Sequence, residues 1–89
     1  MNQRRYSTEE VATRGREIYE DWLKSQMEPQ LIGKFLVIDI ETGEYEIDED
    51  DLVASLRAYH KKPNGSRYGM RIGYATVGTI GNAIREVKS

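Results

Sequence analysis

The sequence predicts one small α+β domain in the order helix, strand, strand, helix, strand, and three observations carry that prediction. A chain of 89 residues leaves no material for a second hydrophobic core. Apolar residues recur at three- and four-residue spacing over 11–27 and again over 52–59, the period of a helix with one buried face. Between these stretches, residues 34–48 read as two strand-forming runs about a Thr42-Gly43 pair, the signature of a β-hairpin.

The first helix begins at Ser7. Ser7 and Glu10 have the spacing of a capping box, in which each side chain satisfies an orphan amide beside the other, and Tyr6 with Val11 could add a hydrophobic staple. Val11, Gly15, Ile18 and Trp22, with Tyr19, Leu23 and Met27 on the neighbouring row, make the apolar side, while Arg16, Glu17, Glu20 and Lys24 lie opposite. Pro29 disfavours a helical conformation for the residue before it, so the helix should stop by Glu28. Gly15 weakens the helix interior, and a close backbone approach there would account for it.

The hairpin runs Lys34–Glu41, then Thr42-Gly43, then Glu44–Asp48. A two-residue turn sets Glu41 opposite Glu44, Ile40 opposite Tyr45, Asp39 opposite Glu46 and Ile38 opposite Ile47. Leu36, Ile38, Ile40, Tyr45 and Ile47 then form one apolar face, and Asp39, Glu41, Glu44 and Glu46 fall on the other. Phe35 and Val37 share the acidic face, toward its far end.

The second helix is expected to be capped by Asp48, with Glu49, Asp50 and Asp51 at the positive end of its dipole. Leu52, Leu56 and Tyr59, with Val53, supply its expected buried stripe; His60, Lys61 and Lys62 close the last turn before Pro63-Asn64-Gly65. The third strand, Arg67–Tyr74, points Tyr68, Met70, Ile72 and Tyr74 one way and Arg67 and Arg71 the other. A right-handed crossover sets it parallel to the second strand and beside the first, giving sheet order 2-1-3 with the second helix on the apolar face. Residues 75–89 give no clear element, and the ends, 1–6 and 82–89, are expected to be flexible.

Composition narrows the function more than it names it. With no cysteine and a single His60, neither a disulfide framework, a thiolate metal site nor a pair of imidazole ligands is available. No apolar run approaches the length of a membrane span and no apolar signal core follows Met1-Asn2-Gln3-Arg4-Arg5-Tyr6, so a cytoplasmic protein without a membrane partner is expected. The net charge of −2 conceals an asymmetry: eight acids and no Lys or Arg between Asp39 and Asp51, then five Lys or Arg and no acid from Arg57 to Arg71. Direct nucleic-acid binding is not expected, since Glu9, Glu10 and Glu17 are interleaved with Arg4, Arg5, Arg14 and Arg16. Gly69, Gly73, Gly78 and Gly81 lack the Lys-Ser/Thr of a phosphate loop, and no serine or threonine has a visible base and orienting acid. No cofactor is expected.

Two surfaces remain. Asp39, Glu41, Glu44 and Glu46, with Arg67 and Arg71 placed to neutralise them, are an ordinary ion-paired sheet face, an acidic docking face for a protein partner or, third, a weak divalent-cation site. Trp22 is either core or, with Ile18, Phe35 and Val37, an interface for a partner or a second copy of the chain.

Phe35-Leu36-Val37-Ile38-Asp39-Ile40-Glu41-Thr42-Gly43 resembles the first motif of the proofreading-type 3′–5′ exonucleases, a strand-borne Asp-x-Glu followed by Thr-Gly. That resemblance implies a pair of divalent metals held by Asp39 and Glu41, two carboxylates on one face of a strand. Those enzymes need further aspartates and a His or Tyr base, whereas after residue 51 this chain offers only Glu86 as an acid. A longer set of residues is Arg14-Gly15, Ile18-Tyr19-Glu20, Gly33-Lys34-Phe35, Val37 through Asp48, and Tyr68-Gly69-Met70-Arg71-Ile72-Gly73. Over roughly residues 9 to 81 these resemble a family of small uncharacterised bacterial proteins abundant in cyanobacteria. The resemblance implies the antitoxin-type member of a two-gene module, sometimes beside a small retroviral-like aspartic protease. The sequence therefore reads as a non-enzymatic protein-binding module acting by stoichiometric contact. A metal-dependent nuclease or phosphodiesterase and a homo-oligomeric structural protein are the alternatives.

Overall fold

In the computed structural model, which describes residues 6–80 and 83–88 with side chains through Tyr74, the N-terminal helix has three parts. These are α1 (Thr8–Ile18), a π-helical segment (Tyr19–Leu23) and α2 (Lys24–Met27). The capping box is formed: Glu10 N donates to Ser7 Oγ at 3.1 Å, and Ser7 N to Glu10 Oε1 at 2.7 Å. Glu28 is extended and precedes Pro29 through a cis peptide, so the helix stops where the proline demands.

The π-helical segment explains which residues face inward. In a regular α-helix, residues four apart drift about 40° per step, so Gly15, Tyr19, Leu23 and Met27 would wander around the axis. The wider turn, closed by Lys24 N donating to Tyr19 O, absorbs part of that drift, and all four are buried. Trp22, on the row next to them, is left outside.

The sheet contains β1 (Phe35–Asp39), β2 (Tyr45–Asp48) and β3 (Arg67–Arg71) in the order β2-β1-β3, both pairs antiparallel, so β2 and β3 run parallel as the crossover predicts. The hairpin register differs from the expected one by two residues: Ile38 lies opposite Tyr45, Val37 opposite Glu46, and Phe35 opposite Asp48. The Asp39 carboxylate accepts from the N–H groups of Glu41 (2.9 Å) and Thr42 (3.4 Å) and curls the chain early. Asp39 N donates to Glu44 O at 2.8 Å, enclosing residues 40–43 in a longer loop in which Gly43 has φ +81°. A slip of two preserves the facing of every side chain, so the apolar and acidic faces survive.

What covers each face corrects the expectation. The apolar face, with Leu36, Ile38, Met70 and Ile72, packs under Tyr19, Leu23 and Met27 of the N-terminal helix, so the first helix takes the place expected for the second. The second long helix, α3 (Asp51–Lys61), crosses the acidic face and packs Ala54 and Ala58 on Val37. Its cap is Asp50, not Asp48: Asp50 Oδ1 accepts from Leu52 N at 2.9 Å and Val53 N at 3.4 Å. The molecule is thus a sheet between two helical layers.

β3 ends at Arg71, earlier than expected. Ile72 and Gly73 make a turn, and Tyr74 begins a separate two-stranded antiparallel ribbon, β4 (Tyr74–Ile80) with β5 (Ala83–Lys88). Of this turn's central residues only the second, Gly73, has a positive φ (+85°), a conformation that favours glycine. β4 pairs with β5 and not with β3. Of the ends expected to be flexible, 1–6 and 82–89, residues 1–5, 82 and 89 lie outside the described residues.

Candidate functional site

The α3 side of the sheet gathers most of the charges singled out in the sequence. Asp39 is buried at 8% exposure in the bend that starts the hairpin loop, its Oδ1 on the two loop amides. Its Oδ2 lies 3.7 Å from Lys62 Nζ, which also donates to Glu41 Oε1 at 3.3 Å. An ammonium therefore bridges the two carboxylates that a metal pair would have to share. Glu46 pairs with Lys61 at 2.8 Å, and Asp48 with Arg57 at 3.2 Å. The Lys61 pKa is raised, first by its hydrogen bond to Glu46 and then by that carboxylate's charge. Glu44 is exposed in the hairpin loop.

Arg67 and Arg71 do something other than neutralise the acids. Arg67 Nη1 donates to the carbonyls of Lys62 (2.8 Å) and Gly65 (3.3 Å), and its guanidinium lies 5.7 Å from the Tyr59 ring centroid. Arg71 Nε donates to Gly33 O at 3.2 Å, with its guanidinium over the rings of Phe35 (5.4 Å) and Tyr74 (4.3 Å). The cations that hold the carboxylates come from α3 and its C-terminal cap: Arg57, Lys61 and Lys62. The sequence carried that signal, since Ala54, Arg57, Ala58 and Lys61 share a helical face with the right spacing to lie over a strand.

The proposed helix interface is not one surface. Ile18 packs against the core, Val37 lies under α3, Phe35 is half-buried below Arg71, and Trp22 stands in solvent at 70% exposure. Nor do Leu52, Leu56 and Tyr59 make α3's buried stripe. They are 62%, 47% and 48% exposed along one outer side of the helix. Beside that stripe, a cavity of about 220 Å³ opens between α3 and the sheet, lined by Phe35, Val37, Gly69, Asp51 and Ser55 among others.

At the opposite face, the buried Tyr19 hydroxyl donates to Glu28 and receives the Gly73 backbone N–H, tying the end of the N-terminal helix to the end of β3. Burial, then the hydrogen bond and charge of Glu28, push the Tyr19 pKa up from its ordinary value.

Among the described residues no group of three or more His, Cys, Asp or Glu side chains is arranged to hold a metal ion. No described helix is long and apolar enough to cross a membrane. No family model, curated protein or solved structure matches this chain.

Proposed function

We propose that this chain is a non-catalytic protein-binding module, antitoxin-like in acting by stoichiometric contact, in the cytoplasmic setting expected from its composition. One observation carries the reading: α3 covers the sheet with two alanines and presents Leu52, Leu56 and Tyr59 outward along a single line. An amphipathic helix normally buries its large apolar residues, and a helix that exposes them on one side has an apolar surface to offer a partner. The acidic residues, held by ion pairs to α3, support that helix in place. Asp39 and Glu41 are engaged with loop amides and Lys62, which favours a structural part for them over metal chemistry.

The test compares tagged wild type with a Leu52→Lys/Leu56→Lys variant as bait in extract of the native cell. Both residues are exposed, so the variant should melt within a few degrees of wild type. One stoichiometric partner recovered by wild type and lost by the variant is the expected result. Equal recovery by both would remove the stripe from the interface, and no partner for either would refute the module.

A further inference from the structure

We propose that the outer edge of β3 is a strand-addition site for an extended partner segment with an acid, an apolar residue and an acid at alternate positions; this rests on the protein-binding reading. The backbone supplies the first part of the argument. Ile72 N donates to Lys34 O and Ile40 N to Ser66 O, both at 2.9 Å. In an antiparallel ladder the bonded pairs alternate, so these single bonds at Lys34/Ile72 and Ile40/Ser66 make Leu36/Met70 and Ile38/Tyr68 the bonded pairs between β1 and β3. The N–H and C=O groups of Arg67, Gly69 and Arg71 consequently point away from β1, along the outer edge of the sheet. β3 is the last strand of the three-stranded sheet, no described strand pairs with that edge, and Gly69 at its centre is exposed. Among the described residues the edge carries no proline and no bulge, two of the devices that close edges to new strands.

Side chains specify what such a strand must carry. Arg67 and Arg71 flank Gly69 on the α3 side of β3, each held through one guanidinium nitrogen by backbone carbonyls, two for Arg67 and one for Arg71. Residues opposite them in an added strand would be favoured as carboxylates by cross-strand pairing. The residue opposite Gly69 meets no side chain there and reaches over the glycine toward the 220 Å³ cavity, whose floor includes Phe35 and Val37. An apolar side chain fits that floor. The pattern is acid-x-apolar-x-acid, with affinity from backbone pairing and selectivity from alternate side chains. Charge also argues against a second copy of β3 as the occupant: antiparallel self-pairing about Gly69 would set Arg67 against the partner's Arg71.

A phage-displayed library of random nonapeptides, panned against the full chain, tests this. The expected enrichment is acid-x-apolar-x-acid. Bound peptide should shift the amide resonances of Arg67, Gly69 and Arg71 and slow their exchange with solvent. Gly69→Pro removes an outward N–H without touching the β1 ladder. It should weaken binding by about tenfold or more, the scale of one to two net hydrogen bonds. Alternate N-methylation of the enriched peptide should do the same, and it tests backbone pairing with the protein unaltered should the proline variant fail to fold. Enriched peptides that tolerate both changes overturn strand addition. If they are lost instead to Leu52→Lys/Leu56→Lys, the binding module stands and only its mode is wrong. No enrichment from the library refutes the strand site, while stoichiometric partner capture would still uphold the module.

Discussion

Gly15→Ala should destabilise this protein although it replaces a poor helix former with the best one. A Cβ built on Gly15 falls 2.5 Å from Tyr68 Cβ and closer still to two atoms of its ring. Carbon atoms pack best at about 3.5–4.0 Å. Relief therefore requires α1 and β3 to separate by roughly 1 Å, because Tyr68 Cβ is fixed by the strand and cannot swing aside like the tip of a flexible side chain. Separation would loosen Tyr19, Leu23 and Met27 from Leu36, Ile38 and Met70, the main core. Overpacking of this kind costs about 1–3 kcal/mol, against a gain of about 1 kcal/mol from helix propensity. The balance is a loss of up to about 2 kcal/mol, or a fall in melting temperature of up to roughly 16 °C for a domain of this size. Thermal and urea melts of wild type, Gly15→Ala, Tyr68→Ala and the double variant measure it. The penalty for the added methyl should shrink in the Tyr68→Ala background, where two of the three close atoms are gone. A Gly15→Ala variant that melts higher than wild type, with no coupling to Tyr68, would refute the close crossing of helix and strand.

Tyr19→Phe leaves Glu28 and the Gly73 N–H without their shared partner and should cost about 1–3 kcal/mol in urea unfolding. The folded state raises the Tyr19 pKa, so its contribution is fully present below the ordinary tyrosine pKa of 10.0 and is lost as pH rises beyond it. Wild-type stability should fall on that alkaline side, and Tyr19→Phe should flatten the fall; identical pH profiles would show that the hydroxyl is not so placed. Asp39→Ala strips the acceptor from two loop amides and from Lys62, with an expected loss of about 1–3 kcal/mol, whereas Asp39→Asn keeps the Oδ1 acceptor and should lose less. Equal effects of the two would assign the residue's importance to charge. Trp22, the single tryptophan, should show the emission of a solvated indole and be readily quenched by acrylamide; a shielded, blue-shifted emission would mean that something covers it.

The elements were legible because their signals are local. Ser7 and Glu10 form their reciprocal cap three residues apart, Pro29 acts on its immediate neighbour, and the period-two pattern of β1 and β2 survives even a change of loop length. The hairpin shows how far such evidence reaches. Gly43 does adopt the positive φ that its place in the turn suggested, yet the register is moved by the Asp39 carboxylate bonding two amides of the loop. From the sequence the same acid reads as part of an ion-paired face, a docking face or a metal pair, because its residue type does not say whether an amide, an ammonium or a partner will take it up.

The assignment of helices to faces failed for a different reason, one that concerns function. Apolar periodicity identifies a stripe but not what lies across from it. For the N-terminal helix the π-helical segment chose the Tyr19–Leu23–Met27 row over Trp22, and local propensity contains no record of that choice. For α3, Leu52, Leu56 and Tyr59 form the better hydrophobic stripe, yet Ala54 and Ala58 face the sheet. The difference follows from the cations on either side of the alanines. Arg57 and Lys61 reach Asp48 and Glu46 only if that face is turned inward, and Lys62 then spans Asp39 and Glu41. Turning the leucines inward would leave four carboxylates without those partners beside a low-dielectric contact, a greater penalty than exposing two leucines and a tyrosine edge. The acidic strand thus sets the rotation of α3, and that rotation places an apolar line in solvent. The charge pattern matters to function through this orientation: reversing Glu46 and Asp48 to Lys should disturb partner binding by releasing the helix, even though neither residue belongs to the apolar stripe.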